Sequence, residues 1–302
     1  LKGEALGLAI TTELPLVIVN CQRGGPSTGL PTKTEQSDLY QAVYGRNGDA
    51  PLPVLSVRSP SDGFEVAIEA CRIATKYMTP VIILTDGFIA NAAEPWMLPD
   101  LDSYKPFPVK HVKEAPEEGF SPVKRDPVTL ARNWALPGTK GCEHRIGGIE
   151  KDSVTGHISY DADNHQIMTD IRANKIQGIA KDIPLQAYEQ GDASDSLLIV
   201  GWGSTYGPIS EAVKGAREAG CKVAHIHIRY ISPLPSNIAE IMGAFKSILV
   251  PEMNKGQLKT LLQDKLGIRV KQLNKVSGQP FKIEEILNAI KAECIEVEDC
   301  HE

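Results

Sequence analysis

Residues 14–39 read "LPLVIVNCQRGGPSTGLPTKTEQSDL", and the join between the two halves of this stretch decides the fold. The first half is a continuous apolar run, the mark of a buried strand in a parallel sheet. The second is crowded with Gly, Pro, Ser and Thr, which punctuate a chain and bond to nearby backbone, so it reads as a loop. Open α/β sheets place their ligands at loops of this kind, on the carboxyl ends of the strands. Arg23 stands at its start, where a guanidinium can hold a carboxylate through two parallel bonds. Gly24, Gly25 and Gly29 permit close backbone approach around Pro26, while Ser27, Thr28 and Thr32 offer hydroxyls. Taken alone, the same residues also suit a surface loop carrying a solvated arginine.

Outward from this stretch, strands and helices alternate. "SDLYQAVYG" is a short helix and "PVLSVRS" a second strand. Asp62, with Glu65 three positions on, suits the start of the helix "FEVAIEACRIATKYM". "PVIILTDG" closes the block as a third buried strand. Apolar strands separated by helices imply a parallel sheet covered on both faces. From about Glu94 to Gln190 the pattern fails: proline and charge crowd residues 94–127, residues 152–166 are polar and turn-rich, and only 166–183 regain a helical period. A structureless run of that length inside a compact domain points to a functional connector or an arm laid on a partner. Regularity returns in "SLLIV", "GPISEAVKGAREAG" (Pro208 at the first helical position), "CKVAHIHIRY", "SILVPEMN", "KGQLKTLLQDKLG", "IRVKQLN" and "KIEEILNAIKAE". The expected organisation is therefore a first α/β unit over 1–97, an extended connector over 98–190 and a second α/β domain over 191–302.

Bulk properties set limits on function. The 302 residues suffice for two domains, and 42% hydrophobic with 23% charged residues is ordinary for a globular protein. A formal charge of −6 argues against a nucleic-acid or anionic-membrane binder, which would carry a basic patch. No apolar run approaches the ~20 residues that cross a bilayer, and the first residues lack a secretory cleavage pattern. Cys21, Cys71, Cys142, Cys221, Cys294 and Cys300 lie far apart with no CxxC pair, so reduced thiols in a cytoplasm are expected, without a chain-borne iron–sulfur cluster or zinc site.

Three further constellations invite chemistry. "GWGSTYG" (201–207) is a glycine-rich strand-to-helix turn, the place for a pyrophosphate. Its spacing is one residue too long, Trp202 crowds the phosphate position, and the next strand ends in Arg229 and Tyr230 instead of an acid, which favours a tight structural turn. His225 and His227 alternate on a strand and share a face; they suit a metal only with a third ligand that the spacing does not supply, and otherwise a domain or subunit contact. Glu143, His144 and Arg145 sit between glycines as an acid–base pair or a hydrogen-bonded loop anchor.

Residues 19–39, "VNCQRGGPSTGLPTKTEQSDL", closely resemble the loop of α subunits of 2-oxoacid:ferredoxin oxidoreductases, in particular the 2-oxoglutarate type. The similarity continues through "TPVIILTDG", "LARNWALPGTKGCEHRIGG", "LLIVGWGSTYGPISEAV", "IRYISPLP" and "LVPEMNKGQL", in order along nearly the whole chain. The resemblance implies thiamine-diphosphate-dependent oxidative decarboxylation of a 2-oxoacid, electrons passed through an iron–sulfur cluster to ferredoxin, and release of an acyl-CoA. It implies a partial pyrimidine-type thiamine-diphosphate domain followed by a transketolase C-terminal-like α/β domain. Thiamine diphosphate would be shared with a β subunit, which would hold the magnesium ion and the 4Fe–4S cluster. Arg23 would bind the substrate carboxylate, and Gly24, Gly25, Pro26, Ser27, Thr28 and Gly29 would line the active site.

Departures from the family pattern matter equally. Family members carry, upstream of this loop, a "YPITP" segment and a glutamate that activates the aminopyrimidine; neither occurs here, and Glu35 and Asp38 fall beyond the glycine loop. The chain opens at Leu1 within a helical pattern that has no N-cap, as a truncated α subunit would. Inactivity of the 302 residues alone is the expectation, and a non-catalytic docking scaffold derived from the same subunit is the alternative.

Overall fold

The computed structural model describes residues 3–104, 106, 107 and 109–299; Leu1 and Cys300 lie outside them. The chain begins with α1 (Gly3–Thr12) and β1 (Leu16–Gln22), followed by α2 (Leu39–Tyr44), β2 (Val54–Ser56), α3 (Asp62–Tyr77), β3 (Pro80–Asp86) and α4 (Gly87–Asn91). A sparse stretch contains β4 (His111–Val112), β5 (Trp134–Ala135) and α5 (Ala162–Gly178). Then come β6 (Tyr188–Gln190), β7 (Leu197–Trp202), α6 (Tyr206–Glu218), β8 (Val223–Ile228), β9 (Tyr230–Ser232), α7 (Ile238–Gly243), β10 (Ser247–Glu252), α8 (Gln257–Leu266), β11 (Lys271–Asn274) and α9 (Ile283–Asp299).

Two sheets organise these elements. The first runs β1-β3-β2-β9, with β1, β3 and β2 parallel and β9 antiparallel to β2. The second runs β11-β10-β7-β8-β6, parallel except for β6. Strand β3 shows why its sequence has no polar face. Val81 and Ile83 pack against α3 and the Ile176 end of α5, while Ile82 and Leu84 face the opposite core, shared with Leu198, Val200 and Trp202 of the second sheet. Both faces are covered, so alternation would leave polar groups stranded. The far face of the second sheet packs Leu197, Ile199 and Val223 against α6 and α9.

Four sequence expectations change. Strand β1 is not buried: it is an edge of its sheet among the described residues, with Val19 65% and Leu16 43% exposed. The run "CKVAHIHIRY" is not one strand either. It breaks at Arg229, and the next three residues cross to pair with β2, so the first sheet borrows its last strand from the C-terminal half. Asp62 does not cap α3: Ser61 occupies that position, and the Asp62 carboxylate accepts the Arg58 backbone N–H and pairs with Arg229. Finally, α6 starts at Tyr206 after a 3-10 turn over Gly203–Thr205, which puts Pro208 inside its first turn.

The sparse stretch is tied to the end of α1 at a buried point. Glu13, in the left-handed backbone region at φ 51°, accepts both terminal nitrogens of Arg125 and the Lys175 ammonium. Arg132 donates to the Thr12 carbonyl beside it. Burial alone would raise the Glu13 carboxyl, but Lys175 and Arg125 outweigh it and hold it at about 2. Burial pushes Lys175 down in spite of Glu13. Three cations around one carboxylate leave a surplus of positive charge, and of the three only the lysine readily yields a proton.

Candidate active site

The loop after β1 is built in two arms. Gln22, buried at the strand end, donates to the Thr85 carbonyl at 3.1 Å and accepts the Asp38 N–H at 3.0 Å, which ties the start of the loop to its finish. Between them, the Gly24 N–H bonds to the Lys33 carbonyl and the Leu30 N–H to the Gly24 carbonyl, closing a compact ring. Gly29 sits at φ 50°, and a Cβ there would lie 2.1 Å from the Gly24 oxygen, so only glycine fits. Ser27 at φ 55° and Thr32 at φ 62° also occupy the left-handed region, a strain that ordinary surface loops do not keep.

The outward arm, residues 25–33, is exposed; the return arm, Thr34, Glu35 and Gln36, is buried. The structure therefore brings Arg23, Pro26, Ser27 and Thr28 to one exposed rim, with Gly24 buried at its base against Glu35. The Arg23 guanidinium has no hydrogen-bond or ion-pair partner among the described residues, while its carbonyl accepts Ser37 Oγ at 3.0 Å. Asp38 accepts from Asn20 at 3.2 Å and stays near the helix start. Asp86, aligned with Gln22 at the end of β3, caps α4 by accepting the Phe88 and Ile89 N–H groups.

The second glycine-rich turn is filled from inside the chain. Gln36, fully buried, donates through Nε2 to the Trp202 carbonyl at 2.8 Å; a Cβ on Gly203 would lie 2.8 Å from that same nitrogen. Ser204 Oγ donates to Asp86. The structural reading of 201–207, favoured by its spacing and Trp202, therefore holds over the pyrophosphate one. His227 belongs to the same junction: it lines a small cavity of about 170 Å³ with Arg58, Asp62 and Arg229, and its Nε2 lies 3.0 Å from the Gly203 carbonyl. His225 lies wholly inside, with neither ring nitrogen bonded. Burial, with Arg58 nearby, pushes His225 down to about 3, and burial drives His227 well below its ordinary value. His144 meets the Cys142 carbonyl at 2.8 Å, as a loop anchor would.

Sequence reasoning missed Gln36, Asp86 and Ser204. The one local signal was an amide inside the quoted motif; its partners lie more than 160 residues away.

Family models cover most of the chain. Residues 1–161 match the thiamine-diphosphate-binding domain of pyruvate flavodoxin/ferredoxin oxidoreductases, and residues 196–286 match pyruvate:ferredoxin oxidoreductase core domain II. The chain belongs to the pyruvate flavodoxin/ferredoxin oxidoreductase family. Within that family it is 51% identical to the 2-oxoglutarate oxidoreductase subunit KorA of Mycobacterium tuberculosis, over 97% of this chain and 44% of the relative. It is 30% identical to the 2-oxoglutarate synthase subunit KorA of Methanothermobacter marburgensis, over 96% of this chain and 76% of the relative. A solved 2-oxoglutarate:ferredoxin oxidoreductase from Magnetococcus marinus, with 2-oxoglutarate, coenzyme A and succinyl-CoA bound, superposes with a TM-score of 0.89 at 32% identity, covering 97% of this chain and 51% of that one. The chain spans about half the length of the mycobacterial and Magnetococcus relatives.

The family's cofactor fits this surface only in part. The exposed rim offers a cation and hydroxyls beside close-approaching glycine backbone, suited to a substrate carboxylate. Among the described residues no group of His, Cys, Asp and Glu is arranged to hold a metal ion, and the one turn shaped for a phosphate is filled by Gln36. The loop after β1 lies within the residues that match the thiamine-diphosphate-binding domain. No described helix is long and apolar enough to cross a membrane.

Proposed function

We propose that this chain is the α-subunit portion of a 2-oxoacid:ferredoxin oxidoreductase of the 2-oxoglutarate type, and that Arg23 binds the C1 carboxylate of the 2-oxoacid. The supporting observation is the unpaired Arg23 guanidinium, set at the carboxyl end of β1 on a loop in which Gly29 cannot take a side chain without collision. Thiamine diphosphate, when bound, supplies the carbon nucleophile that attacks the keto group and takes up the electron pair left by decarboxylation. This chain's part is to hold the carboxylate in line while Ser27, Thr28 and the glycine backbone shape the rim. A β subunit provides the diphosphate and magnesium site and the 4Fe–4S cluster, and ferredoxin and coenzyme A act on the assembled enzyme in a cytoplasmic setting. The segment between about Glu94 and Gln190, tethered at Glu13 but rich in exposed apolar groups such as Met97, Leu98 and Leu101 near its start, faces that partner.

The test is 2-oxoglutarate-dependent, coenzyme-A-dependent reduction of a viologen dye by the assembled enzyme. Arg23→Ala removes a fixed charge-assisted pair, and kcat/KM falls by roughly 30- to 1000-fold, equivalent to about 2–4 kcal/mol. Arg23→Lys keeps the charge, loses the fork geometry and recovers only part of the rate. An unchanged kcat/KM for Arg23→Ala excludes the role.

A further inference from the structure

The geometry points to Gln36 as a positioning residue: through it the second domain sets the place of Arg23. This rests on the proposed role of Arg23 and adds a residue with no contact to substrate. The hydrogen-bonding groups of Gln36 are met by the second domain. Its N–H donates to the Met253 carbonyl at 3.1 Å and its side-chain oxygen accepts the Met253 N–H at 2.9 Å. Its Nε2 donates to the Trp202 carbonyl at 2.8 Å, and its own carbonyl accepts Asn254 Nδ2 at 2.8 Å. The partners are themselves fixed. Asn254 Oδ1 accepts the N–H groups of Gly256 and Gln257, and Glu252, fully buried, accepts from Trp202, Asn254, Leu258 and Lys259. A buried amide in this state has one conformation, because any other strands several polar groups away from water.

From Gln36 the constraint passes outward in one step. The adjacent Ser37 donates to the Arg23 carbonyl, and the Ser37 carbonyl accepts Gln257 Nε2 at 3.0 Å. The first and last residues of the loop are thus anchored to the last residue of β7, the turn after β10 and the start of α8, while the tip stays open. The role also accounts for glycine at 203: a side chain there meets the Gln36 amide. Releasing the anchor lets Arg23 shift, and a displacement of about 1 Å at a substrate-orienting group costs on the order of 100-fold in rate.

Two measurements test this. Gln36→Met keeps the volume and removes both amide functions. In the assembled enzyme it raises KM for 2-oxoglutarate and lowers kcat/KM by roughly 10- to 100-fold, with half-saturation by thiamine diphosphate moved less than about threefold. In an Arg23→Ala background the same change costs less than about threefold more, because the residue it positions is gone. An equal loss in both backgrounds marks a general structural role and overturns the inference. Hydrogen exchange gives an answer that does not depend on activity: the amides of Gly24, Leu30 and Lys33 exchange at least tenfold faster in Gln36→Met, with β3 unaffected. Unchanged exchange overturns the clamp. Silent Arg23→Ala with accelerated exchange instead removes the proposed role of Arg23 and leaves the clamp standing. Should Gln36→Met fail to fold, Ser37→Ala cuts the link to the Arg23 carbonyl alone, and unchanged exchange and kcat/KM in that variant also overturn the inference.

Discussion

The loop over 23–29 and the turn over 201–207 look alike in sequence. Each follows an apolar parallel strand, and each is rich in glycine with hydroxyls between. In the structure they are opposites. The first leaves its arginine in solvent and keeps its backbone strained; the second is buried to the last atom of Trp202 and occupied by the side chain of Gln36. What separates them is occupancy by another part of the chain. A glycine-rich turn is a site only where nothing of the protein's own fills it, and glycine at 203 leaves room for an internal amide where a nucleotide-binding turn leaves room for a phosphate.

The contrast breaks most sharply by substitution. Trp202 is fully buried, packs in the core between the sheets and donates to Glu252 at 3.2 Å. Trp202→Ala removes that packing and bond, and it should destabilise the protein by about 3–5 kcal/mol in urea unfolding. Gly25→Ala on the other loop meets no atom within 4 Å and lies outside the left-handed region, so it should shift stability by less than about 0.5 kcal/mol. Comparable losses at the two positions would abolish the distinction drawn between a filled turn and an open loop.

Acid sharpens it next, because the filled turn rests on neutral histidines. Their folded values lie below the ordinary one, so below about pH 6.5 the unfolded chain binds more protons than the folded chain, and stability falls as pH drops. Each histidine contributes about 1.4 kcal/mol per pH unit, roughly 2.7 kcal/mol for the pair, between pH 6.5 and the low folded values. Glu13 adds nothing between pH 6.5 and 4.5. Its folded value of about 2 lies below the ordinary 4.5, so its contribution is intact above pH 4.5 and is lost only as pH falls toward 2. His225→Leu should halve the slope between pH 6.5 and 5 at little cost at pH 7.5, since neither ring nitrogen is bonded. An unaltered slope in urea titrations would show that His225 does not titrate as a buried neutral group.

How far sequence reaches is visible in these same elements. The alternation of strands and helices, the placement of Arg23 at a strand end and the failure of 201–207 as a nucleotide turn were all legible, because period, turn chemistry and spacing are local properties. Three features were not. The β8–β9 break at Arg229 depends on β2 reaching across from the other half. Gln36 gains meaning only from Met253 and Trp202, both far along the chain. The state of β1 was the third: "LVIVN" reads as covered on both sides, since composition reports what a strand can bury and not which neighbours are present to bury it.

That last point yields the smallest effect on stability and a clear effect on association. Strand β1 pairs with β3 on one side only, and Val19 and Leu16 project apolar groups beside backbone whose other edge is open among the described residues. Natural sheets blunt such edges with charge, lysine above all; this one has none between Leu16 and Gln22. The 302-residue chain should therefore self-associate at micromolar concentration, and Val19→Lys should restore a monomer in sedimentation velocity. Because Val19 is already mostly in solvent, the substitution should move the unfolding free energy by no more than about 0.5 kcal/mol. A monomeric wild-type chain, or a Val19→Lys chain that still associates, would place the sticky surface elsewhere, with the exposed run at Met97, Leu98 and Leu101 next in line. A Val19→Lys chain that loses several kcal/mol would mean instead that β1 is covered in solution, and that the open edge belongs to the filled class of surface after all.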